Sequence, residues 1–222
     1  MCMIEPKEIK KTRRKTIALV INSDGELIVR APFYASEADI ERFVKEKQKW
    51  IEQKTAEMLQ KKKERPRLVL QEGETIPYLG RECMIFRGIT KKICFDGKAF
   101  LLPETEDAKK KLITWYKKRA AIILQERVQT IAAKMQLIPQ GVKITSAKTR
   151  WGSCSYKNHI NFSWRLIMCP PEVVDYVVVH ELCHIVHKDH SKDFWESVGK
   201  VDVFYKEHEK WLKENRRIMD IL

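Results

Sequence analysis

The sequence predicts an α+β fold: a histidine-bearing helix packed on a small mixed sheet, preceded by an N-terminal hairpin, a long helix and a small β region. Three observations carry this. Residues 36–65 and 106–135 hold apolar side chains at helical spacing. Short β-prone runs, punctuated by glycine or proline, fill the stretches around them. Residues 170–184, PPEVVDYVVVHELCH, then read as a nearly apolar helix following a β-rich run, as expected of a helix buried behind a sheet.

The elements follow in order. Thr16 to Ile21 and Glu26 to Arg30 are β-prone around Asn22-Ser23-Asp24-Gly25, and Asp-Gly in such a place signals a hairpin. Pro32 ends that unit. Ser36 opens a helix, with Asp39 in the capping-box position and Ile40, Phe43, Val44, Trp50, Ile51 and Met58 at helical spacing to about Arg65. Lys45, Lys47, Lys49, Lys61, Lys62 and Lys63 are expected on its solvated face. Pro66 breaks it.

Four short runs follow, at 76–79, 83–86, 93–95 and 99–102, with Gly73, Gly80, Gly88 and Gly97 as turn residues. A second long helix spans about Glu106 to Met135, with Leu112, Trp115, Tyr116, Ile122, Ile123 and Ile131 as its apolar stripe. Strands are expected at Val142 to Ala147 and over INFSWRLI (160–167). Pro170 and Pro171 suit the start of the next helix. These elements suggest two domains, 1–104 and 105–222.

A chain of 222 residues with 44% hydrophobic and 33% charged residues can bury a real core. No apolar run approaches the roughly 18 residues of a membrane span, and the opening MCMIEPKEIKKTRRK does not resemble a secretory signal. The six cysteines are dispersed without a C-x-x-C pair, so they read as reduced thiols of a cytoplasmic protein. The net charge of +13 invites a nucleic-acid partner, but it is spread. Residues 1–67 carry 17 basic against 11 acidic side chains, and the rest 26 against 19. A generally basic surface is the bland reading of that, and a modest preference for anionic partners the sharper one.

Four of the six histidines (His180, His184, His187 and His190) fall within eleven residues. His180 and His184 are four apart on the helix and share a face, so both can reach one ion at a Zn–N distance of roughly 2.0–2.1 Å. Glu181 sits partly round the helix, where it can approach a water without ligating the metal. This is the H-E-x-x-H arrangement. A catalytic zinc usually has a third protein ligand. His190 stands at the spacing of the extended motif H-E-x-x-H-x-x-G-x-x-H, provided the chain turns after about residue 186. His187 occupies that motif's glycine position, so either it adopts a left-handed conformation or the turn is built elsewhere, for example at Lys188-Asp189. Its side chain is then exposed, or it supports the ligands or faces substrate. The bland alternative is a helix with satisfied surface histidines.

KTRWGSCS (148–155), INFSWRLI (160–167), PPEVVDYVVVHELCH (170–184) and DHSKDFW (189–195) resemble the YgjP-like zinc metallopeptidases, relatives of the WLM and SprT-like groups. VRAPFYASEADIERFVKEKQKWI and IPYLGRE extend the resemblance into the N-terminal half. It implies a zincin-like catalytic domain, zinc on His180, His184 and His190, and Glu181 as the catalytic carboxylate. The expected activity is hydrolysis of a peptide or protein substrate, with Glu181 as general base. Arg165, His187 and Tyr205 are candidates for a second oxyanion donor. INFSWRLI is either an edge strand for an extended substrate or an ordinary interior strand.

Cys154 and Cys183 could compete for a metal, but small buried residues are the expectation. Trp151, Trp164, Phe194, Trp195 and Trp211 are expected in the core, and His208 on the surface of a charged helix. The alternative to a peptidase is a nucleic-acid-associated zinc protein, or a protease acting on DNA-bound proteins. A zincin fold that holds metal without meaningful turnover is a third reading.

Overall fold

The computed structural model describes residues 4–22, 24–63 and 69–222, with the side chains of 61–63 outside that description. The expectations for Ser23, for the lysines at 61–63 as a solvated face, and for the break at Pro66 therefore lie outside the described residues. The chain divides into two compact units, Met1–Arg67 and Leu68–Leu222. The boundary expected after residue 104 falls inside the second unit, because the small β region shares a core with the helices that follow it.

In the first unit, β2 (Ala18–Ile21) and β3 (Leu27–Pro32) form the expected antiparallel hairpin. Asn22 closes the turn: its Oδ1 accepts from the backbone N–H of both Asp24 and Glu26 at 2.9 Å. A strand the sequence reading lacked, β1 (Glu8–Thr12), lies parallel to β3. Its EIKKT is charged and mostly exposed, so no apolar alternation marks it. Helix α1 (Glu37–Glu46) is capped by Ser36, whose Oγ accepts from the Asp39 N–H at 3.1 Å. The single helix expected to about Arg65 is instead two, broken at Lys47 before α2 (Gln48–Lys63). No breaker residue causes this. The Lys47 N–H is shared between the Phe43 and Val44 carbonyls, and Ile40, Val44 and Ile51 all pack with Leu27, Val29 and Ala31 of the sheet. Tertiary packing sets the bend.

In the second unit, β4 (Thr75–Tyr78), β5 (Arg81–Gly88), β6 (Cys94–Phe95) and β7 (Ala99–Pro103) form a sheet in the order β4-β5-β7-β6. Helix α3 (Ala108–Met135) buries Leu112, Tyr116, Ala120, Leu124 and Val128, a stripe repeating every four residues. Ile122, expected on that stripe, is half exposed.

A mixed sheet follows, of β8 (Gly141–Thr145), β9 (Gly152–Cys154) and β10 (His159–Ser163), in the order β8-β10-β9. Strand β10 is paired on both sides, parallel to β8 and antiparallel to β9. It is therefore interior, and the edges are β8 and β9. INFSWRLI also stops being a strand at Ser163, because Trp164–Met168 form a 3₁₀ turn. All five of those residues are buried, so none of them is the solvent-facing half of a strand exposed on one side.

Helix α4 (Pro171–Cys183) starts on its proline and carries eight of its apolar side chains into the core of this unit. Burying each valine or leucine stabilises by about 1.5–3 kcal/mol, so this helix is held firmly. Helices α5 (Lys192–Val201) and α6 (Tyr205–Glu214) and a terminal 3₁₀ turn (Arg216–Asp220) complete the unit. Among the described residues no helix is long and apolar enough to cross a membrane.

Candidate metal centre

Helix α4 ends at Cys183, and the amide of His187 still closes a helical bond to the Cys183 carbonyl at 2.9 Å. The chain then bends at Lys188 and Asp189, and His187 does not adopt a left-handed conformation. Of the two ways to turn without glycine, the chain uses the second. Lys188 pins the bend, donating from Nζ to Asn158 Oδ1 at 2.6 Å on the β9–β10 turn.

This bend returns His190 to the helix. The donor nitrogens of His180, His184 and His190 all lie within 4.8 Å of one another, and Nε2 of His180 and of His190 are 3.1 Å apart. Two nitrogens bound to one zinc ion lie at most about 4.2 Å apart. The closest pair is inside that limit, and the whole set lies close to it. The donor set fits a metal ion.

Protonation favours the same use. Burial, then the neighbouring imidazoles, push His180 down to about 3, so it stays neutral. Burial also lowers His184. Its Nδ1–H donates to the His187 carbonyl at 2.9 Å, which leaves Nε2 as the free donor. So His187 supports His184 through its backbone, while its ring bonds to Ser197 Oγ at 3.1 Å.

Rings pack the cluster from outside. Phe194, fully buried, stacks on His184 at 4.5 Å between centroids. Trp195 stacks on the exposed His190 at 5.7 Å, and Tyr205 in turn stacks on Trp195 at 5.5 Å. Tyr176, a buried residue that the motif reading missed, meets His180 edge-on at 5.9 Å. It lies four residues before His180, on the same helix face, which is the signal that could have found it.

Glu181 is only 5% exposed. Burial pushes its carboxyl up to about 8, with Arg150 pulling weakly the other way, and its Oε2 has no hydrogen-bond partner. A Cβ on Gly152 would stand 2.5 Å from Glu181 Oε1, so the carboxyl group lies hard against the edge strand β9. Gly152 is thus a second residue that motif reading missed, although glycine within a strand often marks such a close approach.

The other sequence candidates separate. Arg165 is buried over the Trp164 ring at 4.2 Å and donates to the Ser146 carbonyl. Tyr205 meets the cluster through its stack on Trp195. Cys183 is buried with its thiol pushed up to about 11, and among the described residues no cysteine joins the candidate ligand set. Trp164 and Phe194 are core, whereas Trp151, Trp195 and Trp211 are only partly buried. His208 is not a surface residue as expected: its Nδ1 lies 2.8 Å from Asp202 Oδ2, with both side chains mostly buried.

No curated protein sequence matches the chain. Among solved structures, it is similar to the metallopeptidase zymogen of Pyrococcus abyssi abylysin, at 21% identity and a TM-score of 0.37, over 41% of this chain and 93% of that one. The model of the YgjP-like metallopeptidase domain matches residues 15–215, nearly the whole chain, and the chain belongs to that family.

Proposed function

We propose that this chain is a zinc-dependent metallopeptidase, with His180, His184 and His190 as metal ligands and Glu181 as general base. One observation carries the reading: three imidazole donors converge beside a buried carboxyl group with an unpartnered oxygen. A purely structural metal would have no use for that carboxyl. When bound, zinc supplies Lewis acidity, polarising a carbonyl and making water acidic near neutral pH. Glu181, held against Gly152, takes a proton from the attacking water and passes it to the leaving amine. Tyr176 and Phe194 shield the ligand rings from water.

The substrate is a peptide or protein. The test is elemental mass spectrometry on protein purified without nickel resin or chelator, followed by peptide digestion. We expect about one zinc per chain, and Glu181→Gln should keep it while losing about 10²–10⁴-fold in turnover. A Glu181→Gln protein that cleaves at the wild-type rate removes Glu181 as the base.

A further inference from the structure

A cavity of about 290 Å³ opens beside the histidine cluster, with His180 and Glu181 in its wall. Trp151, Tyr176, Val177 and Leu212 give it apolar sides. Three charged residues from the C-terminal segment complete it: Glu209, Lys213 and Arg216. These charges are unequal in their freedom. Lys213 is paired with Glu209 at 2.8 Å. Arg216 is exposed, forms no ion pair among the described residues, and makes only a long 3.5 Å contact to the Thr149 carbonyl. The lining therefore combines apolar walls with one uncommitted guanidinium.

We propose that this cavity receives a substrate side chain next to the scissile bond, and that Arg216 selects a carboxylate there. The proposal rests on the metallopeptidase reading above. The planar guanidinium fork matches a carboxylate bidentately, and it is charged at every working pH. Glutamate suits the cavity, since its methylenes can lie on Tyr176 and Leu212 while its carboxylate meets Arg216. The same chemistry comes from the terminal carboxylate of a substrate that ends in the cavity. Arg216 is then a specificity-determining residue, distinct from the proton-transfer machinery.

The probes are alanine heptapeptides with Glu, Gln or Lys at the centre, blocked at both ends, and the Gln peptide with a free C-terminal carboxylate. Binding is measured on the full-length, zinc-loaded Glu181→Gln protein, through the NMR indole resonance of Trp151. Hydrolysis by the zinc-loaded wild type is followed by mass spectrometry. We expect a carboxylate-bearing peptide to bind about tenfold more tightly than the Lys peptide. Arg216→Glu should reverse that order. Arg217→Glu, an exposed neighbour outside the cavity, should leave it alone.

Preference for the blocked Glu peptide identifies a side-chain pocket, and preference for the free acid alone identifies recognition of a chain end. Binding that ignores Arg216, that responds equally to Arg217→Glu, or that is absent at millimolar peptide overturns the proposal. Arg216-dependent binding with no hydrolysis by the wild type keeps the pocket and removes the peptidase reading. Hydrolysis indifferent to Arg216 does the reverse.

Discussion

His184 Nδ1 donates to the backbone carbonyl of His187, three residues on, at 2.9 Å. The bond uses the His187 main chain, not its ring. His187→Ala should therefore retain the metal, with affinity falling by no more than the 10–100-fold typical of disturbed outer-shell support. His190→Ala removes a donor and should lose the ion on dialysis. Elemental mass spectrometry of the two variants checks this, and equal losses would contradict the assignment.

Gly152 predicts a second outcome. A methyl group there would meet Glu181 Oε1 at 2.5 Å, so Gly152→Ala must move either the carboxyl or strand β9. Overpacking of this kind costs about 1–3 kcal/mol. Displacing the proposed base by 1 Å costs roughly 10²-fold in rate. We expect a kcat loss of that size with metal content unchanged. Wild-type kcat would mean that Glu181 is not held where it acts.

The raised carboxyl of Glu181 sets a pH dependence in the metal-free protein. Between the ordinary 4.5 and about 8, the folded chain holds a proton that the unfolded chain releases. Stability must then fall as pH rises through that window, and level off above about 8. Glu181→Gln has no such proton. After chelation, the gap in Tm between Glu181→Gln and wild type should widen over this range, and a constant gap would contradict the burial of the carboxyl.

Thiol reactivity tests the core. Cys94 is exposed, whereas Cys169 and Cys183 are buried, with burial pushing both thiols well up. Alkylation of the folded protein at mildly alkaline pH should label Cys94 and spare Cys169 and Cys183 until denaturant is added. Site-resolved mass spectrometry reads the order directly, and early labelling of Cys183 would mean that α4 is not packed as described.

Features legible in the sequence are those in which the interacting groups are neighbours along the chain. His180 and His184 share a face because a helix repeats every 3.6 residues, and Ser36 caps α1 because its partner is Asp39. The hairpin at Asn22 is local in the same sense. The candidate ligand His190 could be named from spacing, since only a short turn separates it from His184.

What the sequence left open depended on residues far apart in it. The bend at Lys47 comes from packing on a sheet, and β10 became interior only when β8 and β9 found it. Trp164–Met168 abandoned the strand because the core takes all five side chains. Gly152 meets Glu181 across 29 positions, and Arg216 joins His180 in one cavity across 36. Motif spacing picked out the groups proposed to hold a metal and to transfer a proton. Close packing between distant segments decided which oxygen is buried, which ring is held, and what surrounds the space beside them.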